Sequence, residues 1–147
     1  MAQVTLLGPR SKQDFAPPKV FGQPSNGSDE EDEEEERWQM LALYTLPSHR
    51  GRGIAKRLCL EALHYLSSYR PEPRNVLVRL MVKPGMHATI RFYEKLGFIE
   101  VGNCTLAEAL IANGDGDILP EGYEKQEKYN VPTAHVTMQG FTRMENR

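Results

Sequence analysis

The chain has little cysteine, a single tryptophan and no long apolar run, and these shortages close off several classes of protein. Two cysteines among 147 residues, Cys59 and Cys104, supply neither a metal cluster nor a disulfide framework. Cys59 falls inside a helical pattern and reads as a small buried hydrophobe. A reduced, intracellular setting is expected: the cytoplasm, with the nucleus left open. No run of about 18 apolar residues is present, so neither a transmembrane span nor a membrane partner is expected. The opening residues, MAQVTLLGPRSK, lack a charged start, a long apolar stretch and a small-residue cleavage site, so they do not read as a signal peptide. No basic motif interleaved with aromatics occurs; the arginines gather at one turn, and no nucleic-acid partner is expected. No set of residues has metal-ligand spacing.

Charge is plentiful but unevenly placed. The formal net charge of −2 includes DEEDEEEE at residues 29–36, eight acids in a row. Without them, twelve acids face eighteen lysines and arginines, a balance of +6. The folded part is therefore expected to be basic, which suits an anionic ligand without requiring one. At 147 residues, one domain with one core is expected.

Three segments follow from composition. Residues 1–10 contain a short strand candidate, Val4 to Leu7, closed by Gly8-Pro9. Residues 11–37 are rich in Pro, Gly, Ser and acid, and have little apolar area to offset chain entropy, so a disordered insertion is expected there. The plain reading of its acid is solvation; the sharper one is a decoy for basic partners or a tether over a basic mouth. Residues 38–147 alternate strands and helices. Trp38 to Leu46 is an apolar strand expected to be buried on both faces. Gly53 to Ser67 is a helix with Ile54, Leu58, Ala62 and Tyr65 on one stripe and Cys59, Leu63 and Leu66 beside it. Asn75 to Val82 is a second buried strand, and Met86 to Leu96 a helix stopped by Gly97. Phe98 to Val101 is a short strand. Thr105 and Glu108 have capping-box spacing at the head of a short helix. A loop leads to a closing strand, Ala134 to Phe141. The order is that of an α/β layered domain with at least one parallel crossover.

The informative stretch is LYTLPSHRGRGIAKRLCLEAL, Leu43 to Leu63. A strand runs into a glycine- and arginine-rich turn, and a helix starts at once. A helix N-terminus leaves backbone N–H groups unpaired and carries partial positive charge. Glycines let a large anion come close, and Arg50, Arg52, Lys56 and Arg57 add charge around it. The combination favours a phosphate site over a plain tight turn. The P-loop pattern is absent. The dinucleotide fingerprint also fails, because Lys56 stands where a third glycine is needed and Asn75 to Val82 carries no acid.

Arg50-Gly51-Arg52-Gly53-Ile54-Ala55 resembles the [Q/R]-x-x-G-x-[G/A] pyrophosphate loop of the GNAT family of acetyl-CoA-dependent acyltransferases. LYTLPSH resembles that family's fourth strand. A second signature, ATIRFYEKLGF at Ala88 to Phe98, resembles the helix and turn that carry the family's tyrosine. The two occur in the family's order, and the resemblance covers Val4 to Phe98. It implies a GNAT-like mixed sheet flanked by helices, with acetyl-CoA as cosubstrate. Its pantetheine arm would pair with backbone near Tyr44, Thr45 and Leu46, and its pyrophosphate with amides from Arg50, Gly51, Arg52, Gly53, Ile54 and Ala55. The implied activity is an N-acetyltransferase, EC 2.3.1.-, in which a primary amine attacks the thioester directly. A strand N–H would stabilise the oxyanion, and Tyr93 would protonate the leaving thiolate.

The sequence departs from the family in several places. Met86 stands where the family often has asparagine. No glutamate lies on WQMLALYT; Gln39 cannot take a proton, the nearest acids are Glu35 and Glu36, and His87 lies on another helix face from Tyr93. The base stays unassigned. The chain also reads as an N-terminally truncated member, lacking the usual first strand, first two helices and second strand. The sheet edge this leaves could pair with another chain, so an oligomer is possible. Two other readings stay open: a non-catalytic acyl-CoA-binding remnant or interaction module, and a nucleotide-binding α/β domain of another family.

Overall fold

The computed structural model describes residues 2–11, 15 and 35–143. The acidic run 29–34 and most of the expected insertion lie outside these residues. Among the described residues, five strands form one mixed sheet in the order β1-β2-β3-β5-β4. β1 (Ala2–Arg10) runs antiparallel to β2 (Glu35–Thr45), which runs parallel to β3 (Asn75–Val82). β5 (Ala134–Thr142) lies antiparallel to both β3 and β4 (Ile99–Cys104). A parallel pair needs a crossover, and α1 (Ile54–Ser68) supplies it between β2 and β3. α2 (His87–Lys95), α3 (Leu106–Ala112) and the one-turn α4 (Glu127–Asn130) follow in chain order. This is the α/β class and the flanked mixed sheet that the sequence implies.

β3 is the middle of the sheet, and its residues explain the layering. Val76, Val78, Leu80 and Val82 alternate along one face and are all buried. They pack with Met40, Cys59, Leu63 and Leu66 in the main core. The other face carries a smaller cluster of Cys104, Ala109, Ala134 and Val136, with Met81 packed on it. With apolar cover on both faces, the strand reads as a nearly continuous hydrophobic run.

The stripe on α1 differs from the expected one. The buried residues are Cys59, Ala62, Leu63 and Leu66, whereas Tyr65 is 55% exposed and stacks on Tyr69 with ring centroids 5.2 Å apart. The four buried positions are spaced i, i+3, i+4, i+7, so they face the sheet together; aromatic character alone did not put Tyr65 among them. β2 is buried on both faces only at its start. Trp38, Gln39 and Met40 are buried, while Tyr44 is exposed, because the strand leaves β3 beyond Gln39. α3 begins as the sequence predicts: Thr105 accepts from the Glu108 N–H and Glu108 reaches back to the Thr105 N–H, both at 3.0 Å.

The structure also differs at both ends of the expected insertion. β2 starts at Glu35 rather than Trp38, and Phe15 is buried. At Glu36 the reason is a set of partners, all but Trp38 far away in sequence. Glu36, only 3% exposed, receives Trp38 Nε1, Tyr69 OH and Arg143 on Oε1, each at 2.6 Å. Its Oε2 receives Arg70 Nε at 2.8 Å. Arg143 also donates to the carbonyls of Leu66 (2.9 Å) and Pro73 (2.7 Å). One carboxylate thus joins the start of β2, the end of α1 and the residue following β5. Burial pushes its pKa up, but the bonds from Arg143, Tyr69, Trp38 and Arg70 more than reverse that and hold it at about 2.

Candidate functional site: a fork between two parallel strands

β2 is eleven residues long, yet it pairs with β3 only from Glu35 to Gln39. Beyond the Gln39–Arg79 pair the strands part. β2 follows β1, with Met40 opposite Leu6 and Thr45 opposite Ala2. β3 follows β5 out to Val82 opposite His135. Met40 to Thr45 therefore present a strand edge with no ladder partner on the β3 side among the described residues. A cavity of about 400 Å³ opens in the fork, walled by Met40 and Leu43 on one side and Leu80 and Val82 on the other, with Met86 and Tyr93 from the α2 side.

Local sequence positions Tyr93 tightly. α2 ends in a Schellman motif: the Phe98 N–H donates to the Tyr93 carbonyl and the Gly97 N–H to the Glu94 carbonyl, both at 3.0 Å. Gly97 supplies the left-handed residue at φ 102°, and a Cβ there would meet the Gln139 amide at 2.8 Å. Phe98 folds back onto Tyr93 (centroids 5.7 Å) and Phe92 flanks it at 5.2 Å. The order F-Y-E-K-L-G-F is thus a device for holding one tyrosine. The ring is 7% exposed, and burial pushes its phenol pKa above the ordinary value, so the phenol stays protonated at neutral pH.

The glycine turn lies at the outer end of β2. Gly51 and Gly53 are both left-handed, at φ 82° and 74°, with open space where a Cβ would point. Gly53 is the N-cap of α1; no side chain caps the helix and its first turn holds no acid. The first-turn N–H groups have no side-chain acceptor among the described residues, in the arrangement that draws an anion. A cavity of about 230 Å³ sits over them, lined by Thr45, Arg50, Gly51, Gly53, Ile54 and Ala55, with His49, Lys56 and Phe92 at its sides. Thr45 Oγ1 is buried and lacks a hydrogen-bond partner among the described residues. Arg50 Nε donates to the Thr45 carbonyl at 3.0 Å, and its guanidinium lies over the Tyr44 ring at 5.7 Å. Of the residues singled out by sequence, Tyr44, Leu46 and Arg52 do not line this cavity, and Tyr93 belongs to the neighbouring one. His87 is exposed, against His135, and lines neither.

Sequence reasoning missed the polar chain at the crotch of the fork. Gln39 is fully buried and Arg79 is 2% exposed. Arg79 Nε donates to Gln39 Oε1 at 2.8 Å, and its NH1 donates to the Phe15 carbonyl at 2.8 Å, with the Phe15 ring 3.8 Å from the guanidinium. Burial, with Arg10 adding to it, brings the Arg79 pKa down to about 10, so it is still a cation at neutral pH. Gln39 Nε2 donates to Asn113 Oδ1 at 2.9 Å and contacts Met81 Sδ at the same distance. Asn113 follows α3, and no pattern in the sequence joins it to residue 39. A second cavity, about 540 Å³, lies on the α3 side and shares Met81, Val82, Lys83 and Asn113 with the fork. Among the described residues no group of three or more His, Cys, Asp or Glu side chains could hold a metal.

Residues 24–100, just over half the chain, match the family model of the acetyltransferase (GNAT) domain. The chain belongs to the GNAT acetyltransferase family. A sequence search of curated proteins finds no match. Among solved structures, Arabidopsis thaliana Naa50 in complex with the bisubstrate analogue CoA-Ac-MVNAL is similar in fold. Its TM-score is 0.51 at 20% identity, over 75% of this chain and 58% of its own. Arabidopsis thaliana NAA60 in complex with acetyl-CoA gives a TM-score of 0.44 at 24% identity, over 72% of this chain and 48% of its own. The same protein with a bisubstrate analogue gives 0.46 at 20%, over 99% of this chain and 63% of its own. The chain therefore spans from 48% to 63% of the length of these structures.

Proposed function

We propose that the chain transfers an acetyl group from acetyl-CoA to a primary amine. The observation that carries this reading is the fork and what it leads to. β2 leaves β3 after Gln39, and its free edge leads, through the 3-10 turn Pro47–His49 and the glycine turn, to a helix N-terminus that no side chain caps and two left-handed glycines frame. The fit to the cosubstrate rests on three positions that are open among the described residues: the strand edge from Met40 to Thr45, the first-turn N–H groups of α1, and the Thr45 hydroxyl. The edge suits an extended amide-bearing arm, and the helix start suits a diphosphate.

In this reading the chain's residues do four things. Amides from Arg50 to Ala55 bind the diphosphate. The β2 edge orients the arm so that the thioester lies in the fork. The amine nitrogen attacks the carbonyl carbon, and a β2 N–H stabilises the developing oxyanion. As the C–S bond breaks, Tyr93 donates its proton to the sulfur, and the proton that the nitrogen sheds passes through solvent and restores the phenol. The cavity on the α3 side gives the amine its approach, from the face opposite α2.

Titration calorimetry with acetyl-CoA, NAD and ATP tests the binding half. Saturable binding selective for the CoA ligand is expected; binding of NAD or ATP by the folded chain in its place overturns the reading. Thiol release on a panel of small amines and peptides tests the chemical half. Selective binding without release on any amine would leave an acyl-CoA-binding module rather than an enzyme.

A further inference from the structure

Hydrogen-bond chemistry fixes the orientation of each amide at the crotch of the fork. Arg79 can only donate, so the Gln39 oxygen must face it. The Gln39 nitrogen then points the other way, and whatever it meets must accept. Asn113 therefore presents Oδ1 to Gln39. That leaves the Asn113 NH2 group, with no partner among the described residues, at a position lining both cavities. The buried cation sets the sense of the whole chain, so the neck between the cavities receives a donor and not an acceptor.

The proposed acetyl transfer needs a hydrogen-bond acceptor in that neck. The thioester carbonyl lies between the arm in the fork and the amine arriving from the α3 side. We propose that the Asn113 side-chain amide donates to the acyl carbonyl oxygen of the bound thioester, held in that sense by Arg79 acting through Gln39. Asn113 is then a substrate-contacting residue; Gln39 and Arg79 are positioning residues. This rests on the acetyl-CoA reading above and adds a side-chain donor to the backbone N–H of β2.

Two substitutions reverse the donor without removing the scaffold. Asn113→Asp keeps an oxygen for the Gln39 nitrogen to donate to but replaces the cavity-facing NH2 with an oxygen. Gln39→Glu leaves residue 113 untouched and keeps a partner for Arg79. It offers Asn113 only oxygens, so Asn113 must turn its NH2 inward and present Oδ1 to the neck. The readout is the carbonyl carbon resonance of acetyl-CoA labelled with 13C at the acyl carbon, bound to the full chain, alongside calorimetric affinity for CoA, which has no acyl group. The expected result is a downfield shift on binding to the unaltered protein that is reduced in both variants to what the β2 N–H alone gives, with CoA affinity retained. An equal shift in all three proteins, or no shift in the unaltered protein, overturns the role of Asn113 while leaving the acetyl-CoA reading intact. Failure of the folded, unaltered protein to bind acetyl-CoA overturns both. If one variant fails to fold, the other decides alone.

Discussion

At the scale of single residues, Tyr93 is the clearest case of neighbours deciding a role. Its phenol is buried between Phe92 and Phe98, faces the fork cavity and is held protonated. Tyr93→Phe removes one oxygen and leaves the packing, so thermal stability and CoA affinity should hold while kcat falls about 100-fold, the low end of what a positioned general acid contributes. Steady-state kinetics on a thiol-release assay check this. Because the pKa is raised, the acid form persists through and beyond neutrality. The kcat profile should therefore show no alkaline loss from this group up to about pH 10, the ordinary tyrosine value. A descending limb at lower pH that disappears in Tyr93→Phe would contradict the assignment.

Elements add caps that the residues alone do not display. Gly97→Ala places a Cβ where φ is 102° and the Gln139 amide is 2.8 Å away. The expected cost is about 1–2 kcal/mol from left-handed strain, seen as a lowered melting temperature. Activity should fall as well, since the same turn carries Tyr93. Thr105→Ala removes the hydroxyl half of the α3 capping box and should cost about 1 kcal/mol in chemical denaturation. Asn113 follows α3, so the proposed acetyl-carbonyl contact should weaken along with the helix. Both caps are visible in sequence, Gly97 after a helical run and Thr105 three residues before Glu108. Capping obeys local spacing, which is why they could be read.

At the scale of the whole molecule, Glu36 joins pieces that local pattern keeps apart. Its partners Arg70 and Arg143 lie 34 and 107 residues further along the chain. Glu36→Gln leaves Arg143 buried without its counter-charge, and a loss of about 3–5 kcal/mol is expected in urea unfolding. The sign of the pH effect follows from the lowered pKa. Stabilisation by the carboxylate is fully present above its unfolded value of about 4.5 and is lost as pH falls from there toward about 2. Melting temperature measured across that window should drop in the unaltered protein and drop less in Glu36→Gln.

Features that depend on spacing along the chain could be read before any fold was known. The run Asn75–Val82 is apolar enough to be a central strand, and the structure has it at those same bounds. The glycine turn at Arg50 to Ala55 and the F-Y-E-K-L-G-F cap are local too, and both carried the family resemblance. Features that depend on distant partners came from the fold alone. Glu36 ends a run of eight acids and reads as solvated, yet three strand and helix ends converge on it. Phe15 sits in a polar stretch, yet Arg79 needs its carbonyl and ring. Tyr65 looked like core and faces water because its helix meets the sheet through Cys59, Ala62, Leu63 and Leu66. The Arg79–Gln39–Asn113 chain exists only because β2, β3 and the end of α3 meet at the fork. A buried polar group must find its partner in three dimensions, and periodicity carries no record of where that partner will be.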